Sequence, residues 1–356
     1  MSKIINILKK KSLPVDEFIN IALYDKKFGY YMKKNPFGEK GDFVTAPLIS
    51  NLFSEMIAIW CVSFWEYLGK PKKFYLIELG PGDGTLCKDL LRSFKNFKDF
   101  YNSIEIKLVE KSTKLKKIQK TKIKDKKVQW IERIEDLKVG PLIFLCNEFF
   151  DSLPIKQIYK KNNLFLEKYI TLSKKENKLI FSNKKINKNL IKILKNLNLV
   201  SGNRIIEYPI EAIKYLKIIS SKINKYNGGF LCLDYGYKKN KEKYTDTLQS
   251  IKKHAYYNIL SDPGNSDITS HINYKLFSKI LKNNNLRVEK IKNQSDFLYK
   301  LGIIERANIL SKNVSFKEKA NIFYRLKRLL SKEEMGDLFK VLFAQNKKMK
   351  FSLGFK

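Results

Sequence analysis

The chain has few residues of the kinds that build disulfide frameworks and metal sites. Among its 356 residues there are four cysteines and two histidines. The cysteines, at positions 61, 87, 146 and 232, are isolated in apolar segments, and no CxxC pair occurs. Both histidines lie far from any cysteine in the sequence. The pattern indicates neither a zinc site nor a disulfide framework, so we predict no metal and a reducing compartment.

Long apolar runs are absent as well. No run approaches the roughly 20 residues needed to span a bilayer, although 44% hydrophobic residues exclude wholesale disorder. The start, MSKIINILKKKSL, lacks the apolar length and the small-residue cleavage site of a secretory signal. It is rich in lysine rather than arginine, unlike a mitochondrial transit peptide. We expect a short amphipathic first helix and no membrane insertion.

Arginine is scarce in a strongly basic chain. The formal net charge is +36, but only seven of the 71 basic residues are arginines. Proteins that read nucleic-acid phosphates usually enlist arginine for its bidentate fork, and these lysines are dispersed among Asn and Ile. Codon bias in an AT-rich genome explains this composition better than a selected nucleic-acid surface. The charge should still favour acidic partners.

The most informative stretch present is FYLIELGPGDGT, at residues 74–85. An apolar strand ends with Glu78 and is followed by glycines at 80, 82 and 84 and by the helical segment LCKDLLRSF. Such glycines let the backbone turn tightly and approach a ligand at a helix N-terminus. A second strand, IEIKLVE, ends in Glu110, where an acid can hold both hydroxyls of a ribose. The pattern predicts a nucleoside site at the carboxyl ends of two strands of a doubly wound sheet.

The spacing also distinguishes between nucleoside cofactors. A dinucleotide site would have GxGxxG facing a pyrophosphate, whereas this chain has GxGxG with an acid two residues before it. Glu78 would repel a pyrophosphate but suits an α-amino group. We therefore predict S-adenosylmethionine, bound by Glu78, Gly80, Gly82, Gly84 and Glu110. The alternative is an ordinary strand–turn–helix whose glycines serve only a tight bend.

Seven motifs then give the chain a family resemblance. They are ELGPGDGTL, GDFVTAP, NEFFDSLP, LDYGY, DTLQ, DPGNSDITSHINY and MGDLFKVL. In their order along the chain they resemble the MidA-type methyltransferases, from about Leu13 to about Lys347. This group includes the mitochondrial complex I assembly factor with protein arginine methyltransferase activity. The chain departs from the family at Asp83, where GPGRG is usual, and at Leu48, where TAPEIS is usual.

The resemblance implies a function and a compartment. It implies an S-adenosylmethionine-dependent enzyme that methylates an arginine on a complex I subunit during assembly. The compartment would be the cytoplasm of a bacterium, or the mitochondrial matrix if the chain is eukaryotic. In GDFVTAP it adds Asp42 and Thr45 to the cofactor site. On residue chemistry alone, Thr45 or Ser50 would instead be a helix cap.

Candidate catalytic residues follow the strand LIFLC. It ends in Asn147 and Glu148, with Asp151 close behind and apolar residues on both sides. Methyl transfer needs an aligned acceptor, and a guanidinium stays cationic because its pKa exceeds about 12. Carboxylates can grip it bidentately, so we predict these three residues as catalytic. The alternative is that Glu148 or Asp151 caps the following helix or turn.

Three further residues are candidates for substrate binding. Asp234 and Tyr235 end a later strand and should face the same edge of the sheet. His271 follows SDITS, near Asp267, in a segment that we expect to fold over the strand ends. A lone histidine is more often structural than catalytic.

The alternation of strands and helices predicts an α/β fold of the class I methyltransferase (Rossmann-like) type. It would have a seven-stranded sheet with a final antiparallel strand, a helical N-terminal extension and an inserted α+β subdomain. Strands are predicted at 74–79, 104–109, 127–131 and 141–147, then a hairpin around KKENK. RIIEYPI should return to the sheet, 238–271 should be a long loop, helices should occupy 296–342, and KMKFSLGF should form an edge strand.

Four segments follow from this pattern. They are an N-terminal helical region and cofactor lid (1–70), a core (71–154 and 204–300), an inserted hairpin–helix subdomain (155–203) and C-terminal helices with an edge strand (301–356).

Two other functions stay open at this point. One is an RNA methyltransferase, motivated by the charge, although RNA recognition needs basic residues interleaved with exposed aromatics. The other is a non-catalytic, cofactor-binding assembly chaperone of the same fold.

Overall fold

Continuously apolar segments form the inner strands of the large sheet, and amphipathic segments form several of the helices between them. A computed structural model describes residues 3–38, 41–161, 164–173, 175–200, 205–238 and 246–356. The described helices are α1 Lys3–Leu8, α2 Val15–Tyr24, α3 Tyr30–Lys33, α4 Ala46–Ile49, α5 Asn51–Tyr67, α6 Thr85–Phe94, α7 Lys98–Ser103, α8 Thr113–Lys122, α9 Lys188–Asn196, α10 Ile210–Tyr226, α11 Tyr274–Asn283, α12 Gln294–Lys300, α13 Ile303–Leu310, α14 Phe316–Leu330 and α15 Met335–Leu338.

The strands alternate with these helices along the first half of the chain and again near its end. They are β1 Leu13–Pro14, β2 Phe74–Leu79, β3 Ile104–Val109, β4 Val128–Ile131, β5 Leu142–Asn147, β6 Lys156–Lys161, β7 Leu164–Ser173, β8 Lys178–Lys185, β9 Ile205–Tyr208, β10 Gly228–Tyr237, β11 Gln249–Lys252, β12 Ala255–Tyr257, β13 Asp267–Thr269, β14 Ile272–Asn273, β15 Leu286–Val288, β16 Lys292–Asn293 and β17 Phe339–Asn346.

The largest sheet has a main path of seven strands in the order β15-β17-β10-β5-β2-β3-β4. The five from β10 to β4 are mutually parallel, and β17 runs antiparallel to both of its neighbours. β2 is buried at all six positions, as an inner strand covered on both faces must be. This arrangement confirms the predicted α/β class and the predicted final antiparallel strand.

The position of that last strand differs from the prediction. The strand is β17, which lies between β10 and β15, and the tail KMKFSLGF forms no strand. The tail is held by side chains instead. Gln345 bonds to the backbone of Phe351 in both directions (2.8 and 3.1 Å), and the Trp60 indole donates to the Leu353 carbonyl (3.1 Å). The Phe351 ring packs against Trp60 and Phe64 of α5.

The chain divides into two compact units. The first comprises Met1–Phe43, Phe150–Tyr215 and Tyr237–Leu276. The second comprises Val44–Phe149, Leu216–Gly236 and Phe277–Lys356, and contains the parallel strands. The four segments predicted from the sequence divide the chain at other residues, and that division stays a prediction.

The first unit contains two smaller sheets that the sequence placed incorrectly. The predicted hairpin is present as β7 and β8, and β9 pairs with β6 rather than with the large sheet. Within this unit, Glu207 of β9 accepts from the Thr247 hydroxyl (2.7 Å) and from the Thr247 N–H (2.9 Å). In the described part of 238–271, β11, β12 and β13 form a three-stranded sheet instead of a loop. Residues 162–163, 174, 201–204 and 239–245 of these segments lie outside the described residues.

Candidate active site

The strands of the second unit end at matching positions, which gathers the polar residues that follow them. Leu79 of β2 pairs with Val109 of β3 and with Cys146 of β5. Leu233 of β10 pairs with Asn147. Gly80, Glu110 and Glu148 directly follow β2, β3 and β5 at one edge of the sheet. Asp234 lies just past the last pair of β10 with β5, and because β10 continues to Tyr237, Asp234 and Tyr235 do not end this strand as predicted. Ligands of open α/β sheets bind at this edge.

The loop between β2 and α6 depends on its glycines. Gly80, Gly82 and Gly84 have φ values of 63°, 56° and 83°, in the left-handed region that residues with a Cβ rarely adopt. A Cβ on Gly80 would lie 2.6 Å from the Phe149 ring. The loop is anchored by the Gly80 N–H, which donates to the Val109 carbonyl over 3.1 Å. Backbone is thus exposed to a ligand just before the N-terminus of α6.

Glu78 is a buried acid beside this loop. It is 2% exposed, and its Oε2 has no hydrogen-bond partner among the described residues. Burial, and secondarily the charge of Asp83, raise the pKa of Glu78 to about 8. A buried carboxyl group with an unpartnered oxygen suits a cationic ligand group. This chemistry is compatible with the α-amino end of S-adenosylmethionine, and the role of Glu78 in binding it stays a prediction.

Glu110 lies at the next strand end and is buried. Its Oε1 accepts from the Ser112 N–H (2.7 Å) and its Oε2 from the Gln119 amide (3.1 Å). Burial raises the pKa of Glu110, and these hydrogen bonds oppose the rise. Gln119 also donates to the Gly82 carbonyl (2.7 Å) and accepts from the Trp130 indole (2.9 Å). One amide on α8 therefore holds both the glycine loop and the predicted ribose acid.

Asp83, the departure from the family pattern, is neutralised locally. Lys122 forms an ion pair with its Oδ2 over 2.6 Å, and its Oδ1 accepts from the Thr85 N–H over 3.0 Å. Lys122 also donates to the Thr85 hydroxyl (2.9 Å). The extra acid thus serves as a first-turn anchor of α6 and is paired with the last residue of α8.

Asn147, Glu148 and Asp234 form a constrained turn. Glu148 has a φ of 52°, which is uncommon for a residue with a side chain and is concentrated at functional sites. The Asn147 amide donates to Glu148 Oε1 (3.0 Å), while Asn147 Oδ1 is buried with no hydrogen-bond partner among the described residues. Asp234 accepts from the N–H groups of Phe149 (3.2 Å) and Tyr235 (2.9 Å). Asp234 therefore fixes the backbone immediately after Glu148.

The remaining candidates of the second unit are Tyr235 and Thr45. Tyr235 is buried, and its ring packs edge-on against Phe339 at 5.5 Å between centroids. Thr45 is buried at the N-cap position of α4 without a side-chain capping bond, whereas Ser50 caps α5 through the Leu52 N–H (3.3 Å). The capping alternative therefore holds for Ser50.

In the first unit, Asp42 is surrounded by donors from its own unit. The Tyr30 hydroxyl (2.6 Å), the Lys34 ammonium and the Lys253 N–H (2.9 Å) all bond to its carboxylate. Burial raises the pKa of Asp42, but these hydrogen bonds outweigh it and hold the pKa below its ordinary value. The carboxylate therefore joins the segment after α3 to the β11–β12 turn.

Asp151 and His271 lie in the first unit near a second buried acid, Asp267. The Ser270 N–H donates to the Asp151 carbonyl (2.9 Å), and the His271 N–H donates to the Thr247 hydroxyl (2.9 Å). The Tyr31 hydroxyl donates to Asp267 (2.8 Å). Burial, and next the charge of Asp151, raise the pKa of Asp267 to about 7. Asp151 and Asp267 thus form a buried acidic pair lined by tyrosine.

Reasoning from the sequence missed Gln119, Lys122 and Phe149. Gln119 carried a faint signal, because it is a polar residue on the buried face of an otherwise lysine-rich helix. Lys122 and Phe149 carried none, since their contacts form only in the folded chain.

Among the described residues, no group of His, Cys, Asp and Glu could hold a metal ion. No described helix combines the length and the apolar composition needed to cross a bilayer.

Comparison with known proteins agrees with this geometry. Residues 56–292 match the family model described as "Putative S-adenosyl-L-methionine-dependent methyltransferase". The protein arginine methyltransferase NDUFAF7, mitochondrial, of Xenopus tropicalis is 30% identical over 94% of this chain and 83% of its own length. The human NDUFAF7 protein is 28% identical over 92% of this chain and 78% of its own length.

Solved structures share the fold. A COG1565 superfamily member from Burkholderia thailandensis, bound to S-adenosyl-homocysteine, superimposes with a TM-score of 0.82 at 18% identity, covering 96% of this chain and 90% of that one. A native COG1565 structure from the same organism gives 0.81 at 20% identity, covering 96% and 89%. With its glycine loop, its buried Glu78 and its relatives over nearly the whole length, this chain belongs to this family of S-adenosylmethionine-dependent methyltransferases.

Proposed function

We propose that the enzyme transfers a methyl group to a guanidinium nitrogen of an arginine in a protein. The observation that carries this proposal is the Asn147–Glu148 pair at the end of β5. Because the Asn147 amide is used to hold Glu148 Oε1, the pair offers oxygen acceptors, one of them the buried Asn147 Oδ1. A guanidinium carries only donors, so its chemistry complements the pair. The names of the NDUFAF7 relatives support the same acceptor.

The second unit would hold the cofactor with three groups. Glu78 would accept from the α-amino group, the 80–84 loop would offer backbone to the amino-acid end, and Glu110 would accept from the ribose hydroxyls. S-adenosylmethionine supplies the electrophilic methyl group when bound. Asp42 and Thr45 stay proposals for the same site, and the contacts of Asp42 suit a residue that shapes its loop.

Glu148 would orient the acceptor and receive its proton. The left-handed backbone of Glu148 and its bond from Asn147 fix the direction of the carboxylate before a substrate arrives. A nitrogen that gains a methyl group must lose a proton, and Glu148 is the proposed recipient. Asp234 positions this turn through the Phe149 N–H, and Tyr235 remains a proposed neighbour of the substrate.

Asp151 and His271, the remaining candidates for acceptor binding, belong to the first unit. Burial and the charge of Asp151 raise the pKa of Asp267, an arrangement that a cationic side chain would relieve. We keep Asp151 as the second candidate for gripping the guanidinium and His271 as a substrate-binding candidate. The acceptor protein that we propose is a complex I subunit, from the family resemblance. The compartment would be the mitochondrial matrix, as the relatives' names suggest, or a bacterial cytoplasm.

Labelled S-adenosylmethionine tests this proposal. The purified enzyme is incubated with the labelled methyl donor and a cell lysate, and the product is divided between protease and RNase treatment. Label that is released by protease, resists RNase and appears in methylarginine after acid hydrolysis would support the proposal. Label in RNA, or in a protein residue other than arginine, would overturn it. Glu176→Gln, at an exposed position, serves as the control variant.

A further inference from the structure

A basic, apolar tip projects from the second unit between α13 and α14. Ten consecutive residues, 312–321, are exposed, whereas the base of the same hairpin is anchored in the core through Ile303, Ala307 and Leu329. Phe316 is 88% exposed, the highest value for a large apolar side chain among the described residues. Val314 and Ile309 are exposed beside it in sequence. We refer to residues 309–319 as the α13–α14 tip.

The α13–α14 tip has a defined conformation, because a capping box holds the start of α14. Ser315 accepts from the Glu318 N–H (3.2 Å), and the Glu318 carboxylate accepts from the Ser315 N–H (3.0 Å), which completes a capping box. Phe316 is the first residue of the helix that this box starts. Its exposure is therefore fixed by the fold. Isolated exposed apolar residues need no explanation, but three of them within eight residues of one exposed hairpin mark a candidate interaction site.

The charges around the tip specify the partner. Lys312, Lys317 and Lys319 are exposed around Phe316, and the one acid among these residues, Glu318, is occupied in the capping box. A second copy of this chain would bring the same positive charge to the contact. The three cations are lysines, which act as point charges and need no bidentate geometry. An aromatic side chain among lysines on a projecting tip suits a soft anionic surface, where apolar groups enter the headgroup region and lysines reach the phosphates.

We propose that the α13–α14 tip docks the enzyme on an anionic lipid bilayer, with Phe316 and Val314 in the headgroup region and Lys312, Lys317 and Lys319 at the lipid phosphates. The contact is peripheral, since apolar insertion and electrostatic attraction combine without a membrane-spanning helix. An enzyme held in this way would meet its protein acceptors at the membrane surface. The proposal does not depend on which acceptor is methylated.

Vesicle flotation tests it with the full-length protein. We expect the protein to float with vesicles of phosphatidylcholine and phosphatidylglycerol, to stay behind with phosphatidylcholine alone, and to be released by high salt. Replacing the three tip lysines together by glutamate should lower the partition coefficient by at least about 100-fold, because each basic residue near an anionic surface contributes about 1 kcal/mol. Phe316→Ser should lower it by about tenfold, since part of an aromatic side chain no longer leaves water.

Two matched variants control for charge and for exposed aromatic surface. Lys188, Lys192 and Lys195 of α9 changed together to glutamate alter the net charge equally, and Tyr256→Ser removes an 82% exposed aromatic residue. Both should bind vesicles nearly as the wild type does. The proposal is overturned if the wild type ignores anionic vesicles, as it would if the tip bound only an acidic protein. It is also overturned if the α9 variant loses as much binding as the tip variant. Affinity for S-adenosyl-homocysteine, measured for every variant, confirms that each is folded.

Discussion

Glu78 couples ionisation to both stability and ligand binding. Its pKa rises from 4.5 to about 8 on folding, so the folded state holds this proton more tightly than the unfolded state does. The free energy of unfolding should therefore fall as the pH rises between these two values, because the unfolded state releases this proton while the folded state keeps it. Glu78→Gln should flatten this part of the pH profile. Thermal unfolding of the two proteins over this range checks the prediction, with the more exposed Glu105→Gln as control.

Binding should release the same proton. A bound α-amino cation favours the ionised carboxylate, so S-adenosyl-homocysteine binding below about pH 8 should release close to one proton per site. Titration calorimetry in buffers of different ionisation enthalpy measures this number. Glu78→Gln should release almost none and should bind about 10- to 150-fold more weakly, as for a lost charge-assisted hydrogen bond. Wild-type binding without proton release would place the amino group elsewhere.

Alanine variants of two glycines distinguish the effect of backbone strain from the effect of close packing. Gly80 and Gly69 both have positive φ, 63° and 83°, but a Cβ would meet Phe149 only at Gly80 and nothing within 4 Å at Gly69. Both alanine variants should lose about 1–2 kcal/mol of stability through left-handed strain. Gly80→Ala alone should also displace the Phe149 ring and weaken cofactor binding by about tenfold or more. Equal cofactor affinities of the two variants, measured by calorimetry, would contradict this account.

At the residue scale, the sequence predicted the positions of residues that lie where a strand ends. Glu78 and Glu110 could be found because a buried strand followed by an acid and glycines fixes where those residues lie. The interpretation of Asp83 could not be completed, because its partner Lys122 lies 39 residues away on another helix. The left-handed backbone of Glu148 also left no mark in the sequence, since glutamate gives no signal for a positive φ.

At the scale of elements, α8 positions the cofactor site from behind. Its Gln119 amide donates to the Gly82 carbonyl and to Glu110, and so links the loop after β2 to the end of β3. Glu110→Ala should weaken cofactor binding by about 1.5–3 kcal/mol, because charge-assisted bonds to the ribose are lost. Gln119→Leu should weaken it less, because Glu110 remains.

A more exposed carboxylate on the same strand serves as the control for the assignment of Glu110 to the ribose. Glu105 lies on the same strand, β3, with a more exposed side chain, so Glu105→Ala should bind the cofactor as the wild type does. Calorimetric titration of S-adenosyl-homocysteine into the three variants gives the order directly. If Gln119→Leu lost more affinity than Glu110→Ala, the acid would not be the principal ribose ligand.

Strands could be predicted from the sequence where a short apolar run alone defines them. β2 and β3 occur at the predicted residues because apolar runs are bounded by glycine or charge. Residues 339–342, the first half of β17, were predicted as helix because FKVLFAQN is continuously apolar at its centre, and an inner strand shows no alternation. β9 was assigned to the wrong sheet because the apolar pattern of a short strand does not reveal which strand it pairs with, here β6.

At the scale of the whole molecule, the excess of positive charge opposes compaction. A formal charge of +36 on 356 residues produces self-repulsion that salt should screen. The melting temperature should therefore rise with sodium chloride at moderate concentration, while affinity for S-adenosyl-homocysteine changes little, because the buried Glu78 and Glu110 are screened much less. Differential scanning calorimetry and titration across a salt series measure both. A melting temperature that falls with added salt would contradict this expectation.

Glu148→Gln tests the central claim most directly. The substitution preserves the shape of the side chain and removes the charge that we propose grips the guanidinium. Turnover on the acceptor protein should fall by about 100-fold, the effect of losing one positioned electrostatic contact, while affinity for S-adenosyl-homocysteine stays at the wild-type value. Glu176→Gln, on the exposed turn between β7 and β8, should change neither. A Glu148→Gln enzyme that methylates at the normal rate, or one that loses the cofactor, would contradict the account.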